Sequence, residues 1–179
     1  MARPLVFRYQ QALSEFREGR QARDTLLKRM SELIAFLDLM SSLGACLSSA
    51  EILDAVLLTT RGELGAVSGG VYVRVDGGLD ELRVSRGLKP DVERLASLDG
   101  VVTCEGVVRR GSGQCGELLA ATGLELLCPV VRGGRRLAAI GVGPRASGLP
   151  YVDEDLAFLQ SVAACAATPI ENGLILLSC

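Results

Sequence analysis

Cysteine is the residue type in this sequence best placed to suggest covalent or redox chemistry. Six are present, Cys46, Cys104, Cys115, Cys128, Cys165 and Cys179, and histidine is absent. A thiolate can attack an electrophile, exchange disulfides or ligate a metal, whereas a protonated thiol does little of this. No two cysteines form a C-x-x-C pair. The lack of histidine excludes a His-ligated haem, a mixed Cys/His zinc site and any His-based triad. An iron–sulfur cluster needs several thiolates to converge within a few ångströms, which sequence spacing does not establish. The ordinary state of such residues in an intracellular chain is a free thiol, often buried as a small hydrophobe. Cys104, Cys115 and Cys128 are the redox candidates, Cys165 reads as packing, and Cys179 as an exposed terminal residue.

Cys115 sits in a glycine-rich segment, GSGQCGELLAATG, residues 111–123. This is no phosphate loop, because the Lys-Ser/Thr ending that contacts phosphate and magnesium is missing. The glycine spacing is also wrong for a dinucleotide fingerprint. Gly111, Gly113 and Gly116 read instead as positions whose backbone angles forbid a side chain. Net charge is −2, made of +2 over residues 1–44 and −4 over residues 45–179. Neither half suggests a nucleic-acid surface, and the absence of Trp disfavours single-strand stacking. No apolar run approaches the ~20 residues of a membrane span. The N-terminus lacks a secretory h-region and cleavage site, so a cytoplasmic location is expected.

The elements that must position these residues follow from periodicity. Residues 7–44 read as one long helix, in which Leu26, Met30, Leu33, Leu37 and Met40 trace a heptad seam. A parallel dimerisation helix is the functional reading, and a helix laid against its own domain the alternative. Ser48 and Glu51 form a capping box that opens a second helix, closed by Gly65. Residues 69–75 alternate as a strand, with Val71, Val73 and Val75 on one face and Tyr72 and Arg74 on the other. Asp76-Gly77-Gly78 turns the chain into a second strand over 81–86. A short helix is expected over 90–98, and β-like structure over 101–109. LELLCPVV-RGGRR-LAAIGVG is the clearest hairpin, turning at Gly133-Gly134. The chain ends in a helix over residues 150–177, capped by Asp153 or Asp155 and bent or loosened at Pro169. Leu156, Leu159, Val162 and Ala166 share its apolar face, and its alanines invite a close neighbour, expected to be the heptad helix.

The wording of that last helix carries a resemblance. Tyr151 before Asp153-Glu154-Asp155, then Leu156, Phe158, Leu159, Val162, Ala163, Ala166, Ala167, Ile170, Glu171, Asn172 and Leu174, resembles the closing helix of GAF domains. These are small cytoplasmic sensory modules related to PAS domains. The run from Ser42 to Ala66 resembles the opening GAF helix, and residues 124–143 its central strand pair. The resemblance spans about residues 45–177 and implies an α/β fold of α+β type. A central antiparallel sheet of about five to six strands would carry the N- and C-terminal helices on one face. The long helix would precede it, giving a segment 1–44 and a GAF domain 45–179.

The resemblance places a ligand pocket on the other face, near the short helices over 90–98 and 116–122. Tyr72, Arg74, Cys104, Cys115 and Cys128 are expected to line it, with a surface position the alternative for Tyr72 and Arg74. No catalytic residue, metal ligand or particular cofactor is assigned. The bilin-attaching Cys-His pair and the cyclic-nucleotide signature are not recognisable. The implied function is a homodimeric sensor that passes small-molecule binding or redox state to a signalling partner or output domain. Free methionine-sulfoxide reductases are the enzymatic alternative within the resemblance, since Gly113-Gln114-Cys115-Gly116 looks like their Cys-Gly turn. The chain lacks Trp and the acidic cluster by which that family holds the substrate amine.

Overall fold

A computed structural model describes Lys28 and residues 48–75, 80–88 and 106–177. The chain divides into two units, Met1–Leu37 and Asp38–Cys179, and the sheet with its covering helices lies in the second. The heptad helix, the Asp76-Gly77-Gly78 turn, the helix over 90–98 and the β-like stretch 101–105 lie outside the described residues.

Helix α1, Ser49–Leu64, begins as the sequence dictates. The Ser48 hydroxyl accepts the Glu51 N–H at 3.3 Å, and the Glu51 carboxylate accepts the Ser48 N–H at 3.0 Å. Two N–H groups that a helix start leaves unpaired are thereby satisfied. Gly65 closes the helix at φ 61°, a left-handed angle that favours glycine. Ile52, Leu53, Val56, Leu57 and Leu64 form its buried face.

Five strands follow: β1 (Gly69–Arg74), β2 (Asp80–Arg86), β3 (Val108–Arg109), β4 (Leu126–Arg132) and β5 (Arg135–Val142). Helix α2 (Gly113–Thr122) lies between β3 and β4, and helix α3 (Asp153–Leu177) ends the described chain. The sheet order is β2-β1-β5-β4-β3, with every pairing antiparallel. Gly133 and Gly134 turn β4 into β5 at φ 58° and 75°, the paired positive angles of a tight hairpin.

Register decides which side chains meet. Val71, Ile140 and Cys128 are partners across three strands and so share one face. Tyr72, Ala139 and Pro129 form the next row, on the opposite face. The first face is covered by α1 and α3, whose Leu57, Leu159, Val162, Ala166 and Ile170 join the larger core. The second face carries a smaller core of Tyr72, Val108, Leu119, Leu124, Leu127 and Ala139. The expected α+β architecture, with terminal helices on one face, is therefore present.

Helix α3 runs through Pro169 to Leu177, where the sequence predicts a bend or loosening. Proline removes one intrahelical hydrogen bond. Its buried neighbours Ala166, Ala167 and Ile170 anchor the helix on either side of that gap. The helix that packs on α3 among the described residues is α1. A Cβ on Gly173 would lie 3.0 Å from the Ser49 Cβ, so a small residue is needed where the two helices approach.

Candidate functional site

Of the sequence-selected residues, Tyr72 and Cys128 lie on opposite faces of the sheet. Tyr72 is 1 % exposed in the smaller core, and burial pushes its phenol up to about 12. Cys128 belongs to the larger core on the opposite face of the sheet. Burial likewise pushes its thiol up to about 12, so it is protonated at neutral pH and a poor nucleophile. The expectation that Tyr72 and Cys128 line one pocket is corrected by the strand register, which turns them to opposite faces. Arg74 is exposed at the end of β1. Cys115 lies in α2, and Cys104 lies outside the described residues.

A cleft of about 370 Å³ opens elsewhere, beside the edge strand β3. Arg109, Arg110 and Glu125 form one wall, and Arg145 with Leu149 and Tyr151 the other. Leu126, Pro144 and Pro150 add apolar surface. Strand alternation sends Val108 into the smaller core and Arg109 to the side of α3. Arg110 is held by its N–H, which donates to the Glu125 carbonyl at 2.8 Å. Gly116 allows α2 to rest on this strand end, because a Cβ there would collide with the Arg109 carbonyl oxygen. Close approach requires that glycine, whereas Gly111 and Gly113 do take positive φ, at 76° and 65°.

The second wall is tied to both helices. The Val67 N–H donates to the Pro144 carbonyl at 2.9 Å, and the Ala146 N–H to the Gly65 carbonyl at 2.8 Å. The Tyr151 hydroxyl donates to the Gly143 carbonyl at 2.8 Å. Its phenol is pushed up to about 12, chiefly by burial and against the pull of Arg145, so it stays a neutral donor.

Arg145 is the centre of the arrangement. Its Nε donates at 3.0 Å to the carbonyl of Leu64, the last residue of α1. Its Nη2 lies 2.7 Å from Asp155 Oδ2, in the first turn of α3. Its guanidinium stacks over the Tyr151 ring at 4.7 Å, a cation–π distance. Asp155 Oδ2 also accepts the Val152 N–H at 2.8 Å, so of the two expected capping residues Asp155 makes the bond. A positive guanidinium at the C-terminus of one helix and a carboxylate at the N-terminus of another both complement the helix dipoles.

The other cations are held more loosely. Arg109 pairs with Asp153 at 2.7 Å and donates to the Tyr151 carbonyl at 3.4 Å. Arg110 pairs with Glu125 at 3.0 Å. Among the lining residues three arginines accompany one carboxylate, Glu125, while Asp153 and Asp155 pair with Arg109 and Arg145 from the first turn of α3. Among the described residues no group of three or more Cys, Asp or Glu is placed to hold a metal. The sequence signals for this cleft are an Arg-Arg pair before a glycine turn and an arginine opening the RASGLPY loop. Both are polar loop patterns that thiols overshadow.

No protein-family model and no curated protein matches the chain. Solved structures do. The GAF domain of a protein described as a putative sensor histidine kinase of Pseudomonas syringae pv. tomato superposes with a TM-score of 0.64 at 16% identity, covering 90% of this chain and 96% of that one. The GAF domain of a phosphoenolpyruvate-protein phosphotransferase of Coxiella burnetii gives 0.64 at 14% identity, over 84% and 98%. The chain folds as a GAF domain. A methyl-accepting chemotaxis protein segment gives 0.62 at 16% identity, over 79% and 99%. In this GAF fold the cleft takes Leu126 and Tyr151 from the larger core, on the side of the sheet away from Tyr72. Among the described residues no helix is long and apolar enough to cross a membrane.

Proposed function

We propose that this GAF domain is a sensory regulatory module of the cytoplasm. It binds a small molecule and passes the event through its flanking helices to a signalling protein or output domain, acting as a homodimer. The partner is a protein rather than nucleic acid or membrane. The single observation that best supports this is Arg145, one side chain that borders a cleft and holds the end of α1 and the start of α3. The chemotaxis and sensor-kinase settings of similarly folded domains support the same reading. A redox input through Cys128 is disfavoured, because its thiol is core-packed and protonated. A ligand must favour one helix arrangement over another, or it shifts nothing.

Light scattering at tens of micromolar tests the dimer, and assembly must be judged at a stated protomer concentration. A dimer is the expected result, and a monomer would remove helix-mediated dimerisation. Turnover of free methionine sulfoxide with a thiol reductant would replace the sensor with an enzyme.

A further inference from the structure

We propose that the cleft beside β3 binds a small organic anion, a carboxylate or phosphate group carried on an apolar body, with Arg109 and Arg145 as its charged ligands. Only the consequence for α1 and α3 rests on the sensory reading, and binding can be tested without it.

The charge comes first. Arg109, Arg110 and Arg145 border the cleft, and Glu125 is the one carboxylate in its lining. The carboxylate that pairs with Arg109 belongs to Asp153, whose side chain is 98% exposed. A pair so hydrated is weak, and a ligand oxygen can take the place of Asp153 with little loss. The second bond of Arg109, to the Tyr151 carbonyl, is long at 3.4 Å. Arg109 is therefore positioned at the cleft without being strongly committed.

Arg145 is committed on one side only. Nε and Nη2 engage Leu64 and Asp155, and Nη1 carries no bond among the described residues. Stacking on Tyr151 fixes the guanidinium plane, so little side-chain freedom remains to be lost on binding. A guanidinium with one rigid, unused edge is a good receptor for a carboxylate or phosphate oxygen.

The remaining lining fits the ligand body. Leu149, at 65% exposed, is the most exposed of the large apolar side chains among the described residues, and it stands in this cleft with Pro144 and Leu126. An apolar or planar group seated there would cover it. The volume, about 370 Å³, lies in the lower part of the range for small-molecule sites. An anion on Nη1 would draw Arg145 toward the cleft and load its bonds to Leu64 and Asp155, coupling occupancy to both helix ends.

The test titrates the full chain with phenyl phosphate, benzoate and benzyl alcohol by calorimetry. Both anions are expected to bind and the neutral alcohol to bind far less. Tighter binding of phenyl phosphate assigns a phosphate headgroup, and tighter binding of benzoate a carboxylate. Arg109→Gln, at a side chain outside both cores, is expected to weaken the better anion about tenfold. Arg145→Lys, which keeps the charge but loses the fork, should weaken it as well. The proposal is overturned if neither anion binds, if the alcohol binds equally, or if Arg109→Gln leaves affinity unchanged. Hydrogen exchange with phenyl phosphate separates the two readings. Binding with altered exchange at the end of α1 and the start of α3 supports both. Binding without it leaves the anion site standing and removes the signalling consequence.

Discussion

Two arginine–aspartate pairs flank the first turn of α3, and both are 2.7 Å long. The Arg145–Asp155 pair is 20% and 4% exposed, whereas Arg109–Asp153 is 39% and 98% exposed. Their equal length hides a large difference in what each does. Water competes for Asp153 at every moment, so its pair adds little to stability. Asp155 has lost its water and has gained Arg145 and the Val152 N–H in exchange. A buried pair of this kind need not beat an apolar replacement, but breaking it by removing one partner leaves an uncompensated charge. The buried pair fixes the helix ends, and the exposed pair keeps an arginine available.

The sharpest way to break that contrast is Asp155→Asn. It strands Arg145 in a poorly hydrated site, and urea denaturation should show a loss of about 3–5 kcal/mol. A loss below about 1 kcal/mol would mean that Arg145 rehydrates freely.

Alkali provides a second, broader attack. Cys128, Tyr72 and Tyr151 all ionise in the folded chain near 12, above their ordinary values of 9.0, 10.0 and 10.0. The unfolded chain therefore loses these protons first, and the folded state holds more protons between about pH 9 and 12. Their contribution is intact below about pH 9 and is lost as pH rises through that window. Unfolding free energy should fall across it, and Cys128→Ala should flatten the first part of the fall. An unchanged slope in that variant would show that the thiol is not desolvated.

Gly116→Ala disturbs the exposed side alone. Its Cβ would collide with the Arg109 carbonyl oxygen, so α2 or β3 must shift, at a cost of about 1–3 kcal/mol. Anion affinity should drop with it, while the Arg145–Asp155 pair is untouched. Ser48→Ala removes one half of the α1 capping box and should cost about 1 kcal/mol with no effect on the cleft. Asp153→Asn is the smallest change, within about 0.5 kcal/mol in urea. It should slightly tighten anion binding by releasing Arg109, and weaker binding would contradict the contrast between the two pairs.

Local features are legible in the sequence because their causes are local. The Ser48–Glu51 box, the Gly65 cap and the Gly133-Gly134 turn each lie within a few residues of the bonds they make. The alternation of Val71, Tyr72 and Val73 within β1 is equally readable, and the two cores confirm it. Register between strands is not. Cys128 and Tyr72 look like neighbours on adjacent pieces of one sheet, yet a shift of one residue separates a shared face from opposite faces. The cleft is hidden for the same reason. Arg145 reaches Leu64 across 81 positions and Arg109 reaches Asp153 across 44, and no local pattern announces such pairs. Thiols draw attention by chemical type, while the arginines assemble a site only through topology.

One side chain, Arg145, holds both helix ends, and hydrogen exchange of the wild-type chain beside Arg145→Gln tests this most directly. The amides to follow are Ala66 and Val67 after α1, and Val152, Asp155 and Leu156 at the start of α3. Faster exchange at both sets, with the β1–β5 pairing unchanged, is the predicted result. Acceleration at one set alone, or at neither, would contradict it.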